Sequence, residues 1–444
     1  MKNPVILICK SVLRVTSVIV LLIIGINVSV AQNTSKNGED FSLQLNTITT
    51  AVPFLLIAPD SRSGAMGDAG VSTSPDANSI AWNPSKLAFA EKNIGIAVSY
   101  TPWLRNLVPD INLSYLTGYK KIDKTQAIGA SLRYFTLGDI QFTDEYGQNT
   151  IQFRPNEFAV DVAYSRKLSD RFSGGMAIRY IYSNLTGGIN VQGAESKAGQ
   201  AVAADISGYY QNEDITLGNK DAILAAGFNV SNIGNKMNYT QTSKRDFIPI
   251  NLRIGPRLTI NLDEYNSIAI TTDINKLLVP TTPSYSEDSL GQAIKDNEGN
   301  YIILSGKDPD RSVAAGMFGS FTDAPGTVIY NSSTGEYEVV KGSRFKEELH
   351  EIMLATGVEY WYDNQLALRA GYFYEHATKG NRKYITLGAG LRYKVFGLDF
   401  SYLIPVNFSA DITTKSPLEN TLRFTLKFDL DAFKSQEGEE PSIE

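Results

Sequence analysis

Cysteine is nearly missing from this chain, histidine occurs only as His350 and His376, and no long apolar run follows the first 31 residues. The single cysteine, Cys9, lies in the amino-terminal stretch, so the rest of the chain has no disulfide, thiolate metal site or thiol nucleophile. Neither histidine has an HExxH, HxH or Ser-His setting, so a paired metal or hydrolytic site lacks its usual groups. Both are expected as solvated loop residues at the ends of strands. A basic surplus is also absent: the net charge is −6, which leaves no electrostatic footprint for nucleic acid. Nor does any Pro/Gly/Ser-rich linker divide the 444 residues, which favours one large domain over two or three small ones.

At the amino terminus, Lys2, Lys10 and Arg14 lead into the almost uncharged run Val15–Val30, which ends in Ser29-Val30-Ala31. A basic start, a short apolar stretch and small residues at its end identify an export signal, residues 1–31, with cleavage expected after Ala31. Its removal takes the net charge from −6 to −9 and takes Cys9 with it. The run is too short for a typical membrane-spanning helix, and Cys9 precedes it, a poor place for a lipoprotein cysteine.

From about Asn93 onward the chain alternates apolar and polar residues. Leu366, Leu368, Ala370, Tyr372 and Tyr374 fall on one face of an extended stretch, with Ala367, Arg369 and Gly371 on the other. Ile385, Leu387, Ala389 and Leu391 repeat the pattern against Thr386, Gly388, Gly390 and Arg392, as do Leu422, Phe424, Leu426 and Phe428 against Arg423, Thr425 and Lys427. Fourteen such strands are expected, starting near Ile94, Ile111, Gln126, Asn156, Phe172, Gln200, Ala222, Pro249, Ser267, Glu351, Gln365, Tyr384, Gly397 and Thr421. Long and very short connections alternate between them. Such a pattern predicts an all-β fold, a 14-stranded antiparallel transmembrane β-barrel of the outer membrane, because only a closed ring pairs every backbone group in lipid. Both termini are then periplasmic and the long connections extracellular, the longest being 278–350, with a short helix expected over Ser312–Thr322.

Charges avoid the apolar faces, where each would cost about 2–4 kcal/mol at mid-membrane. They gather on the other face, predicting an ion-paired lumen of Arg133, Asp161, Arg179, Asp205, Arg253, Asp273, Glu359, Arg369, Arg392, Asp399, Arg423 and Lys427. Tyrosines near strand ends, including Tyr100, Tyr119, Tyr182, Tyr210, Tyr374 and Tyr393, suit interfacial girdles. The expected organisation is a signal (1–31), a periplasmic segment and plug (32–92), the barrel (93–430) and an acidic tail (431–444).

Within 32–92 runs Pro53-Phe54-Leu55-Leu56-Ile57-Ala58-Pro59-Asp60-Ser61-Arg62-Ser63-Gly64-Ala65-Met66-Gly67-Asp68-Ala69-Gly70, followed by Ser74-Pro75-Asp76-Ala77-Asn78 and Trp82-Asn83-Pro84. With Phe345-Lys346-Glu347-Glu348-Leu349, Glu359-Tyr360-Trp361-Tyr362 and Ala367–Phe373, this resembles the PorV family of Bacteroidota, related in fold to FadL transporters. The resemblance covers nearly the whole mature chain. It implies a non-enzymatic outer-membrane component of the type IX protein secretion system. In that family the barrel binds the giant translocon barrel and the C-terminal signal domains of cargo proteins, then passes them to a surface sortase complex. Two departures are the acidic tail from Asp431 and a hairpin-like insert near Thr327–Val340.

Pro59, Asp60, Arg62, Gly64, Gly67, Asp68, Trp82, Asn83 and Pro84 are the plug-motif residues, of which Asp60 and Arg62 either tie it to the charged wall or form a solvated pair. The Gly64, Gly67, Gly70 spacing lacks the strand, lysine and helix of a phosphate loop and is expected to serve tight turns. In the first long connection Trp103, Leu104, Leu107 and Val108 present apolar groups between two prolines. They are either partner-binding residues or groups packed on the rim or in lipid. No cofactor and no enzymatic activity are expected; outer-membrane lipid or lipopolysaccharide is a further candidate partner. The alternative function is FadL-like transport of hydrophobic small molecules, against which the charged lumen argues.

Overall fold

The structure, a computed structural model, describes residues 45–430 apart from 109, 144–145, 189, 192–193, 241–244, 289–291, 332–335 and 407–415. The expected signal and acidic tail lie outside the described residues. Fourteen strands form one closed antiparallel barrel: β1 Ile94–Pro102, β2 Asn112–Lys121, β3 Gln126–Thr136, β4 Asn156–Lys167, β5 Phe172–Asn184, β6 Gly199–Leu217, β7 Lys220–Gly234, β8 Asn251–Asn261, β9 Asn266–Leu277, β10 Ile352–Tyr362, β11 Leu366–Tyr374, β12 Lys383–Tyr393, β13 Phe396–Pro405 and β14 Thr421–Asp429. Each pairs with its sequence neighbours, and β1 meets β14 in the register Ile96 opposite Phe428 and Tyr100 opposite Phe424, which leaves no free edge. Every strand begins within two residues of its sequence expectation.

Alternation explains which face is which. Val162, Ile178 and Leu368 are 62%, 64% and 53% exposed on the outside, whereas Asp161, Arg179 and Arg369 are buried within. Outward residues meet hydrocarbon and inward ones meet each other. At one end the turns are minimal: Asp363 and Asn364 sit at φ 49° and 50°, and Lys394 at φ 52°, the left-handed geometry that tight hairpins require. At the opposite end lie the long connections. The 278–351 connection contains the expected helix, Val313–Gly319, and the insert forms the hairpin Val328–Asn331 with Glu336–Val339; a second helix, Ser343–His350, precedes β10.

One tyrosine breaks the girdle expectation. Tyr119 is buried and faces inward, since the pairing of β1 with β2 sets it opposite Gly95 on the lumen side, where it packs with Ile80 and Leu87.

Residues 45–92 pack against the inward faces. The segment has no long helix: Pro53–Leu56 and Pro84–Phe89 are 3-10 turns opened by proline, and Ser61–Gly64 and Ser79–Trp82 are single α-turns. Small wall residues make room for it. Ala97, Ala127, Ala163 and Ala177 line the lumen where Ala77, Ile80 and Leu87 sit. At its end, the Ala90 carbonyl accepts from Lys121 Nζ beside a short turn (2.8 Å). Its start is elsewhere: the Asn46 amide donates to the Thr378 carbonyl (2.9 Å), in a long connection. Leu45 and Asn46, the first described residues, therefore lie at the long-loop end and not at the short-turn end.

Candidate functional site

Irregular backbone inside a barrel must find hydrogen-bond partners in the wall, and here the wall supplies them. Asp273 accepts from the amides of Gly70 and Val71 through Oδ2 (2.7 and 2.9 Å); Thr425 Oγ1 accepts from the Ser61 amide (2.8 Å) and Thr386 Oγ1 from the Gly67 amide (2.8 Å). Asn83 Nδ2 donates to the Val71 and Gly208 carbonyls, Lys86 Nζ to the Gly70 carbonyl and to Thr73.

Glu359 on β10 is the ionic centre. Arg62 of the segment grips it through Nε and Nη2 (2.9 and 2.8 Å), Arg369 of β11 through Nε (2.8 Å) and Arg257 of β8 through Nη2 (2.7 Å). Arg369 also reaches Asp399 (2.7 Å), and Lys427 bridges Asp399 to Asp76 of the segment (2.8 and 2.9 Å). One continuous network thus joins β8, β10, β11, β13, β14 and the segment. A second centre holds Arg179 to Asp161 (2.5 Å), Asp205 (3.2 Å) and Asn232.

Arg62 makes the expected link to the wall, but Asp60 does not. Its carboxylate caps the Ser61–Gly64 turn by accepting from the Ser63 amide (2.9 Å) and takes the Trp82 indole N–H (2.5 Å), so it staples the segment to itself. Asn83 begins the next turn by accepting from the Ser85 amide, with Pro84 fixing its first residue. Of the three spaced glycines only Gly67 has a positive φ, 68°. A side chain at Gly64 would strike Arg423, and one at Gly70 would strike the Trp82 ring, so close approach explains those two.

Not every inward charge has a close ion pair: Arg133 and Arg392 lack one, and those of Arg253 and Arg423 are long. Arg133 donates to the Leu55 carbonyl (2.7 Å) and lies over Tyr115; Arg253 lies over the Trp82 ring (4.5 Å), 4.0 Å from Asp273. Arg392 is exposed and stacks on Trp361 at 4.3 Å. Arg423 comes no nearer to a carboxylate than 3.6 Å, at Asp68, whose other oxygen accepts from Tyr384. Sequence reasoning missed Arg257, Asp76 and Lys86. Arg257 shares the inward parity of Arg253 and was open to the same argument; Asp76 and Lys86 sit in irregular chain with no periodicity to mark them.

At the long-loop end a separate polar cluster surrounds Glu351, which accepts from Lys276 (2.6 Å), Lys379 (3.1 Å) and Thr281 (2.7 Å). Beside it a cavity of about 560 Å³ is lined by Phe54, Trp103, Leu104, Ile111, Phe135 and Met353. Trp103 and Val108 pack on the cluster containing Val52 and Phe54. Of the four apolar residues in the first connection Leu107 is 62% exposed and the other three are half-buried, so rim packing, one of the two expected alternatives, describes Trp103, Leu104 and Val108. His350 and His376 also depart from solvated loop positions: their rings stack at 3.4 Å, and burial with the neighbouring His350 holds His376 down at about 4. The described residues contain no cluster of three or more His, Cys, Asp or Glu able to hold a metal.

A family model described as type IX secretion system protein PorV matches residues 41–284. Comparison with curated proteins gives no match. Similar solved structures include the Pseudomonas putida toluene transporter TodX (13% identity over 86% of this chain and 98% of that one, TM-score 0.39). Others are a Pseudomonas aeruginosa FadL homologue (12%, 87% and 99%, 0.42) and the Ralstonia pickettii toluene transporter TbuX (9%, 83% and 96%, 0.40).

Proposed function

Because the chain belongs to the PorV family of type IX secretion system proteins, we propose that this outer-membrane barrel binds the translocon barrel and the C-terminal signal domains of cargo, and hands cargo to the surface sortase complex without doing chemistry itself. The family match carries this reading. Two features agree with it. The lumen is crossed by a segment tied into buried ion pairs, so the ring serves as a plugged scaffold in which residues 45–92 act as the plug. Its elaboration is concentrated in the long connections, where Leu107, Phe318 and Phe345 are 62%, 73% and 72% exposed. Exposed aromatic and aliphatic groups of this kind anchor protein partners.

The barrel purified from detergent-solubilised outer membranes should bring down a very large barrel protein and cargo domains. Replacing Leu107 and Phe345 with Ser should weaken that recovery and cargo export while the barrel stays folded. Recovery of lipid alone, or undiminished export, contradicts the proposal. The apolar cavity at the long-loop end favours a second reading, uptake of a hydrophobic small molecule, which retention of such a molecule through purification would support.

A further inference from the structure

The segment inside the barrel is held in two different ways along its length. From Asp60 to Ala90, wall side chains reach backbone amides and Arg62 and Asp76 join the buried ion network. From Leu45 to Ile57 the attachments are sparse and all lie near the long-loop end. Ala51 N–H donates to the Phe247 carbonyl (2.9 Å) and Arg133 to the Leu55 carbonyl (2.7 Å). Asn46 is tied by its amide to the Thr378 carbonyl and by Nδ2 to the Thr282 carbonyl (3.1 Å) and Glu347 Oε1 (2.9 Å).

Glu347 is shared. Its Oε1 also takes Lys379 (2.8 Å), and its Oε2 takes the Gly326 amide (2.7 Å), so one carboxylate couples the segment to both the 278–351 and 375–382 connections. Beneath this tie the packing is incomplete, since the 560 Å³ cavity is lined on one side by Thr47–Thr50, Phe54 and Ile57. The backbone is also strained there: Val52, a β-branched residue, sits at φ 48° and ψ 51°. Such a conformation persists only while its surroundings enforce it.

We propose that Leu45–Ile57 is a strap that enters the barrel from its long-loop end and latches that end through Asn46 and Glu347, separable from the plug core Asp60–Ala90. Displacing the 343–350 helix, as a partner docking on the long connections would, removes the Glu347 tie and lets Val52 relax. Leu45 then faces the same compartment as the long connections, outside the cell under the proposed function.

The sole cysteine, Cys9, lies in the expected signal, so an introduced thiol is unique in the mature chain. Leu45→Cys, Phe318→Cys and Ile122→Cys, at residues 73%, 73% and 56% exposed, mark the strap, the long-loop end and the short-turn end respectively. With a membrane-impermeant maleimide on intact cells, Leu45→Cys should label together with Phe318→Cys, and Ile122→Cys only after the outer membrane is opened. Labelling of Leu45→Cys together with Ile122→Cys, or in neither state, overturns the strap topology. Long-loop and short-turn markers exchanging their behaviour would instead invert the barrel and sink the proposed function alone.

The latch has its own readout. Ala51→Cys, at a position only 7% exposed, should label slowly, and Glu347→Ala should speed that labelling about tenfold, the loss of a hydrogen bond to a charged acceptor. The Phe318→Cys rate should stay constant. An unchanged Ala51→Cys rate in a barrel that still resists heat dissociation overturns the latch.

Discussion

Replacing Glu359 with Ala is the sharpest perturbation of the lumen. The carboxylate accepts four charged hydrogen bonds of 2.7–2.9 Å from Arg62, Arg257 and Arg369. Arg369 keeps Asp399, and Arg62 keeps Asp76 and Ser74, but Arg257 keeps only Thr259. A buried guanidinium left without its carboxylate costs about 3–5 kcal/mol, well below the sum of the four bonds because water and the remaining acceptors compensate. The closed ring is held by backbone pairing, so the loss falls on the plug core, which Arg62 no longer anchors to β10. At about 1.4 kcal/mol per decade, opening of the core becomes roughly a hundred- to several thousand-fold more frequent. Hydrogen exchange reads this at the amides of Gly70 and Val71, which Asp273 otherwise protects. Glu359→Gln, which keeps acceptors but not charge, should fall between. Exchange over 60–90 within about threefold of wild type in Glu359→Ala would refute the assignment of Glu359 as the plug's anchor.

Gly371→Val should leave β11 intact, because valine suits a strand, yet its side chain would meet the backbone of Met66 and Gly67; single-channel conductance should rise as the plug is pushed out, and wild-type conductance would contradict that packing. Acidification acts at the long-loop end. His376 binds its proton at about 4 in the fold against 6.5 when free, so the unfolded form holds more protons between those values and stability falls as the pH drops from about 6.5 to 4. Protease cleavage in 375–382 should quicken over that window, and His376→Gln should weaken the dependence, leaving the smaller part due to His350, whose pKa burial also lowers. Lys379→Met should loosen the same end at neutral pH, since Glu347 and Glu351 both lose a donor, and faster cleavage there measures it.

The strands were legible because alternation encodes a two-faced surface. Arg369 opposite Leu368 is enough to say which side faces hydrocarbon, and eleven of the twelve charged residues of the other face are buried or half-buried, Arg392 alone being exposed. Partners were less legible. Arg133 and Arg392 look like members of an ion-pair network from parity alone, yet they satisfy their charge through a carbonyl and an aromatic face, because strand register and the plug's path decide who meets whom. In the plug itself no periodicity exists. Asp60 and Arg62, two apart, turn to different tasks because a capped turn intervenes. The first long connection left two readings open for a related reason: only Val52 and Phe54, distant in sequence, decide that Trp103 and Val108 are packed. His350 and His376 meet only because β10 and β11 are neighbours.

Deleting the protein from its host and following a cargo that carries the type IX C-terminal signal domain tests the account most directly. Cargo should stay in the periplasm and return to the surface when the full chain is resupplied. Normal surface display of such cargo in the deletion strain would contradict the proposed role.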